Sequence, residues 1–443
     1  MTEQLPDTTP SKCTSGDKLT GEDVQRLIQK NRGSIGLDLS GLNLAEANLK
    51  GLDLRGVKLR NANLRQACLN KANLAQADLR GANLEGANLR ECCLNHARLN
   101  KANLRGAELQ QASLVNADLR CANLQGADLW KAKLGHADLW QVNLRHAYLI
   151  ETDLTNANLR EVNLESTDLK LTNFQYARLE FANLRGADLW SANLSSANLF
   201  GAILCSARLT GANLRRALLH TADLRGADLT GADLREASLY QARLDRTIIV
   251  KESLGTKIIE EMNGYFYRAK EVYLSLKNNF RSIGRNEDAS WAHIKEQRML
   301  RATHWPLRAK QYYGEGLWEQ KAFLSKRWWW FYLKHGFQWL CSLIFDLSCG
   351  YGELPWRTLI CSACIVTIFA LIFAMTGWIK VDSQRADLGA SLLFSLGAFT
   401  TLGLEGFKVA YWGAQLLAAL EAIIGVSLLA LFMFALGNRL SRF

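Results

Sequence analysis

From Leu39 to Ile249 every fifth residue is apolar, without one insertion across 43 consecutive repeats. Leu fills 41 of these positions, and Phe174 and Ile249 fill the other two. Two residues earlier stands a small residue, usually Ala (Ala62, Ala67, Ala72, Ala77, Ala82), and between the two Asn or Asp is commonest. A strict period of five matches neither the 3.6 of an α-helix nor the 2 of an alternating strand, so neither is the regular state of this half of the chain. Repeats this short must stack to bury a continuous core. Large Leu against small Ala in every layer would fill a narrow interior densely.

The A-(D/N)-L-x-x spelling resembles the pentapeptide-repeat family. That resemblance implies a right-handed quadrilateral β-helix with four pentapeptides to a square coil. Residues 34–250 would then form about eleven coils, a rod roughly 50 Å long at a strand spacing of about 4.8 Å. Leu37, Leu42, Leu52 and Val57 replace the small residue in the first coils, which predicts a wider end. Residues 1–19 are polar and unable to bury a core, a composition that predicts a disordered tail. Thr20 and Asp23 then spell a capping box for a short helix within residues 20–33, with Gly33 just beyond its end. Val24, Leu27 and Ile28 share one face of that helix and could plug the rod.

A 20-residue coil lets the surface be read by face. Arg65, Arg105, Arg145, Arg185 and Arg225 fall 40 apart. They could form a phosphate ladder, or a solvated face neutralised by Glu85 and Glu165, which stand between them. Trp140, Phe181, Phe200 and Tyr240 share one face, and Trp130, Ile150, Leu171 and Trp190 the opposite one. Files of exposed aromatics mark a protein-partner or subunit contact, and single exposed rings mark nothing. Some pentapeptide-repeat proteins mimic DNA and bind topoisomerases, which needs an acidic surface. With 26 Lys/Arg against 22 Asp/Glu over residues 35–250, DNA mimicry is not expected here.

At Lys251 the five-residue rule ends and helix formers take over, giving an expected helical linker over residues 251–325. Val272, Leu276 and Phe280 lie on one stripe, Arg285–Asp288 makes a polar break, and a second helical stretch resumes from Ala289. The pair resembles a single tetratricopeptide-type hairpin. It could join rod to membrane or serve as a spacer. Lys326, Arg327 and Trp328–Trp330 suit headgroup depth, and Lys334, His335 and Asp346 favour an interfacial helix over a crossing one in residues 326–353. Gly350-Tyr351-Gly352-Glu353 is expected to be a turn into Pro355.

Two runs that follow are long enough to cross a bilayer. Leu359–Ile379 has 21 residues and no charge, and Val409–Gly437 has 29 with Glu421 as its single charge. Between them DLGASLLFSLGAFTTLGLEGF, Asp387–Phe407, reads as a short helix and a tight loop. Non-helical backbone at membrane depth must be buried in protein or line water, so the loop predicts a pore or a close oligomer. The order outer helix, pore helix, T-T-x-G-x-x, inner helix resembles the two-helix pore domain of tetrameric potassium-channel relatives. The resemblance covers residues 354–437 and leaves 438–443 as a tail.

That likeness implies a homotetramer with a selectivity filter of Thr400, Thr401, Leu402, Gly403, Leu404 and Glu405, which would hold a monovalent cation. Thr400, Thr401 and Gly403 match the family spelling. Glu405 replaces a glycine whose left-handed backbone suits no Cβ, and Leu404 has no hydroxyl to brace the filter wall. Weak or unusual cation selectivity is therefore expected, with four Glu405 carboxylates concentrating cations at the outer mouth. Glu421 should face protein, bracing the filter from behind or lining the pore. Gly425 matches the hinge position of inner helices, and Phe432 and Phe434 could close the inner end by dewetting.

The net charge of +11 is then that of a membrane protein with basic flanks. Lys326, Arg327, Arg357, Arg439 and Arg442 place both termini in the cytoplasm of a multi-pass inner-membrane protein, and the outward loop is nearly neutral. The N-terminus spells no signal peptide. Ten cysteines follow no disulfide framework, and Cys361 and Cys364 read as small packing residues within a span. His96, His136, His146, His293 and His304 form no metal or nucleophile spacing, so no enzyme, cofactor or nucleic-acid partner is expected. Expected partners are the lipid bilayer, sibling copies, permeating cations and a possible protein on the β-helix. The rival reading is a non-conducting, membrane-tethered scaffold.

Overall fold

The computed structural model describes residues 18–303, 326–381, 384–402, 407–409 and 411–440. The chain divides into two compact units, Met1–Asp288 and Ala289–Phe443. The tail before Lys18, the linker from 304 to 325, Asp382 and residues 441–443 lie outside the described residues.

In the first unit each pentapeptide makes one bridge to the pentapeptide 20 residues on. The pairs Asn43↔Asn63, Asn63↔Asn83 and Asn83↔Asn103 continue to Asp228↔Ile248, all parallel. Bridged pentapeptides thus lie four repeats apart along the chain. The central Leu residues are buried, Leu44 to Leu229 at 0–1% exposure, and the small residues two positions earlier line the same interior. The residue between them accepts a hydrogen bond from the backbone N–H two residues on, as Asn63 does from Arg65 at 3.3 Å and Asp128 from Trp130 at 3.0 Å. This Asx turn is the reason Asn and Asp dominate that position. The last residue of the repeat turns through the left-handed region, with φ of 55° at Gln66 and 59° at His96.

Both ends of the coil stack are closed. At the start, α1 (Gly21–Lys30) carries the expected box, with Thr20 and Asp23 capping each other. Val24 is fully buried, and Leu27 and Ile28 are half-buried. One expectation needs correction. Lys18 and Leu19 belong to the fold instead of to the tail, because Lys18 bridges Asn43 and the Leu19 N–H donates to the Asn43 carbonyl at 2.8 Å. Gly33 stands just beyond the end of α1, its N–H donating to the Ile28 carbonyl at 2.9 Å, and Arg32 before it makes the left-handed turn at φ 58°.

At the other end, a 3-10 turn (Lys251–Leu254), α2 (Ile259–Met262) and α3 (Phe266–Ser282) bury Leu254, Ile258, Val272, Tyr273, Leu276 and Phe280. Asn279 donates to the Thr247 carbonyl at 2.9 Å and accepts from the Thr247 N–H at 3.1 Å, so α3 is tied to the last coil. What the sequence presents as linker is, over residues 251–282, a lid. The expected polar break is shorter than it reads. A fourth helix, α4 (Asn286–Thr303), starts within it, and Asp288 is buried beside Arg285 and Lys251.

The second unit continues with α5 (Lys326–Cys349), α6 (Pro355–Thr376), β1 (Ile379–Val381), β2 (Gln384–Arg385), α7 (Leu388–Phe399), β3 (Phe407–Val409) and α8 (Trp412–Leu440). Gly350, Tyr351 and Gly352 all take positive φ in a turn that delivers Pro355 to the first position of α6. The two long apolar runs shift at the ends that face each other in sequence. Ile379 and Val409 leave the helices and pair with each other across a small antiparallel sheet of order β2-β1-β3. Helix α8 also runs past Gly437 to Leu440.

Candidate functional site

The helices α6 and α8 are each long and apolar enough to cross a membrane, over Pro355–Thr376 and Trp412–Gly437, and are mostly uncovered by the rest of the chain. Gly377 ends α6 in the left-handed conformation at φ 63°. A Cβ there would also strike the Arg385 side chain at 2.3 Å. Arg385 uses that space to donate to the Ala374 and Met375 carbonyls, two of the orphan acceptors at a helix C-terminus. The sheet that follows sets Lys380 between Arg385 and Lys408. That sets three cations in a row across the sheet.

Asp387 caps α7 by accepting from the Ala390 N–H at 2.7 Å. With 12 residues, α7 spans only about 18 Å and cannot cross a bilayer. It lies between α6 and α8 on a run of aromatic contacts, Phe369–Phe373–Phe394–Phe407, with ring centroids 5.2–6.4 Å apart. The Ser395 hydroxyl donates to the Val366 carbonyl of α6 at 2.8 Å and also bonds Glu421 of α8. One serine thus joins three helices.

The predicted site residues fall as follows. Glu421 is fully buried against Ser395, facing protein as its cost in lipid requires. Thr400 ends α7, and Thr401 follows at φ 57°, a left-handed position earlier than the one the filter spelling points to. Thr400 and Thr401 both turn their hydroxyls onto nearby carbonyls, Leu396 at 2.7 Å and Thr400 at 2.6 Å. Leu402 is exposed. Gly403, Leu404 and Glu405 lie outside the described residues. At Gly425 a Cβ would meet the Phe399 carbonyl oxygen at 2.0 Å, so this glycine lets α8 pass close to the end of α7. Phe432 is half-buried, and Phe434 makes an edge contact with Phe345 of α5, with centroids 6.5 Å apart.

On the coil surface the Arg ladder is partly self-paired: Arg65 meets Glu85 at 3.9 Å, Arg145 meets Glu165 at 3.3 Å, and Arg225 turns to Asp223 at 2.7 Å. Of the aromatic stripes, Phe181 and Phe200 touch edge to face at 5.4 Å, Trp130, Leu171 and Trp190 are exposed, and Trp140, Ile150 and Tyr240 are half-buried. Among the described residues no group of His, Cys, Asp and Glu could hold a metal ion.

The Pentapeptide repeats family profile matches in eight copies, over residues 38–74, 58–95, 67–106, 102–141, 137–175, 172–211 and 212–249. HetL of the cyanobacterium Nostoc sp. strain PCC 7120, a pentapeptide repeat protein involved in heterocyst differentiation regulation, is 36% identical; the match covers 49% of this chain and 96% of HetL, with a TM-score of 0.47. The chain belongs to the pentapeptide-repeat family. Other pentapeptide-repeat structures are also similar. One from the Arabidopsis thaliana thylakoid lumen is 28% identical over 24% of this chain and 69% of its own, with a TM-score of 0.21. Rfr23 of the cyanobacterium Cyanothece 51142 is 31% identical over 27% and 63%, with a TM-score of 0.16. No curated protein matches the chain.

The family profile ends at residue 249, so pentapeptide-repeat membership accounts for the coil and not for the helices after it. Two contributors to those helices escaped the sequence reading. Ser395 carried no signal beyond its place on an apolar segment. Arg385 did carry one, since a cation eight residues beyond an apolar run and a Gly is placed to cap it.

Proposed function

We propose that residues 355–440 supply one quarter of a homotetrameric cation pore in a cell membrane, joined to a cytoplasmic pentapeptide-repeat rod that anchors or gates it. In this reading the rod is a right-handed, four-sided β-helix, and α7 with the residues after it forms a re-entrant pore loop. One observation carries the proposal. A helix too short to cross is braced between two crossing helices by Ser395, yet leaves Leu388, Leu392, Leu393 and Leu396 exposed along it. The backbone after Thr401 cannot face lipid with its polar groups unmet. Sibling copies around a central axis would cover the leucines and give that backbone water and ions to face.

Glu421 acts as the brace behind the filter, Thr400 to Glu405 as the filter, and Phe432 with Phe434 as the inner constriction. The test is reconstitution of the purified chain into potassium-loaded vesicles, with the particle mass measured before insertion. Four copies and cation flux are expected. A monomeric particle, or a tetramer that passes no ion under any gradient, would overturn the reading.

A second reading is favoured by the coil surface. Trp130, Tyr148, Leu171 and Trp190 are exposed in one column of repeats, where a protein partner could dock. Here the spans only tether the rod, and intact assembly without flux is the expected result.

A further inference from the structure

Arg90, Gln110 and Trp130 stand in one column over three successive coils, which the bridges Asn88↔Glu108 and Glu108↔Asp128 tie together. Glu91, Gln111 and Lys131 form the column beside it. Here the coil surface is hollowed into a cavity of about 410 Å³, lined by Arg90, Glu91, Gln110, Gln111, Asp128 and Trp130. Concave sites for small molecules are of this size and combine an aromatic surface with a few fixed polar groups.

The polar wall is set before any ligand arrives. Arg90 Nε donates to Gln110 Oε1 at 3.0 Å and lies 3.2 Å from Glu108, and Gln110 Nε2 donates to Asp128 Oδ2 at 2.7 Å. Glu91 pairs with Lys71 at 3.6 Å. The side chains of Arg90 and Glu91 are each 52% exposed, so both can still bond a molecule in the cavity. A guanidinium donates, a carboxylate accepts and a carboxamide does both, which gives the wall donors and acceptors side by side. Trp130 supplies a partly exposed apolar plane, and Lys131 Nζ lies 4.6 Å from its ring centroid. Net charge gains nothing at such a place. An anion would meet Glu91 and Asp128, and a cation would meet Arg90 and Lys131.

We propose that this cavity binds a neutral disaccharide. One pyranose ring stacks its C–H face on the side of Trp130 away from Lys131, where the electron-rich indole attracts it. The hydroxyls of the other ring exchange hydrogen bonds with Arg90, Glu91, Gln110 and Gln111. Three coils cover about 10 Å at the spacing of paired strands, the reach of two linked pyranoses. A polyol suits a wall of mixed donors and acceptors better than a peptide does, whose apolar side chains would use Trp130 and leave the amides unmet. The inference rests on the coil alone and stands whether or not the spans conduct.

The full chain, in a detergent without a sugar headgroup, is applied to an array carrying maltose, cellobiose, lactose and chitobiose, with glucuronic acid and glucosamine as charged controls. Retention of at least one neutral disaccharide above both controls is expected. Trp130→Ala should lower that retention by about tenfold or more, and Trp130→Tyr should restore most of it. Gln111→Ala, which leaves the chain of bonds from Arg90 through Gln110 to Asp128 in place, should lower it severalfold. Trp190→Ala, on the same face but outside the cavity, should leave it unchanged. Unaltered unfolding midpoints of the variants tie each loss to the site. The proposal is overturned if no neutral disaccharide is retained, if the charged sugars are retained equally, if retention survives both Trp130→Ala and Gln111→Ala, or if Trp190→Ala lowers it as much as Trp130→Ala does.

Discussion

Thr152, Thr167, Thr172 and Thr247 stand where the repeat usually has Ala, and all four are buried in the coil interior. Each donates its hydroxyl to a Leu carbonyl of the coil before, Thr152 to Leu129 at 2.8 Å and Thr247 to Leu224 at 2.8 Å, so a polar atom in an apolar core stays satisfied. The left-handed fifth position is less forgiving. Gly, Asn, Gln, Lys, Glu and Ser fill most of it, and Thr221 at φ 56° is its one β-branched occupant. Thr221→Asn should stabilise the coil by about 0.5–1 kcal/mol, read as a higher denaturation midpoint, because Asn tolerates this backbone and Thr does not. Charge at the turn carries a pH signature. Burial works against the Asp78 carboxylate, yet hydrogen bonds from Arg80 and Arg60 outweigh it and hold the group down at about 2, below its usual 3.8. A carboxyl depressed by folding contributes stability above its unfolded value and loses it as pH falls from about 5 toward 2. Asp78→Asn should therefore cost about 1 kcal/mol at pH 7 and progressively less as pH falls through about 2, measured as unfolding midpoints across that range.

At the level of elements, the coil and its first lid were legible because their signals are strict. The period of five admits no helix, and Thr20 with Asp23 names a helix start to the residue. The second lid was legible as helix but not as lid, since Val272, Leu276 and Phe280 announce a buried face without saying what it covers. Its decisive contact is polar: Asn279 satisfies both backbone groups of Thr247. The Thr247 N–H also donates to the Leu244 carbonyl at 2.9 Å, so Asn279→Ala would strand the buried Thr247 carbonyl alone and should cost about 1–2 kcal/mol, with hydrogen exchange accelerating first in the last coil around Thr247. The small sheet was hidden for a different reason. Its strands are two or three residues long, and Ile379 and Val409 extend apolar runs whose ends hydrophobicity alone does not mark. Gly377 was the available stop signal. Glu421 could be placed because a lone charge in a span must face protein. Ser395, its partner, could not be, as a serine is unremarkable on any apolar helix.

For the whole molecule the electrostatics of the proposed pore come from groups at two levels. The sheet sets Arg385, Lys380 and Lys408 side by side across its three strands, a cationic edge that four copies would repeat around an axis. By itself such an edge repels cations from the mouth it borders. Arg385 spends its charge on the Ala374 and Met375 carbonyls, which leaves the two lysines facing solvent. A cation pathway then needs a counterweight, and Glu405 is the acid the chain sequence places between α7 and β3. Glu405→Gln should lower cation-over-anion permeability by on the order of tenfold, read as a shift of the reversal potential in a salt gradient. Lys408→Gln, by removing the opposing charge, should shift the potential the other way. If Glu405→Gln leaves the reversal potential unmoved while Lys408→Gln alters it, the carboxylate is not at the mouth and the selectivity of the pore belongs to the sheet instead.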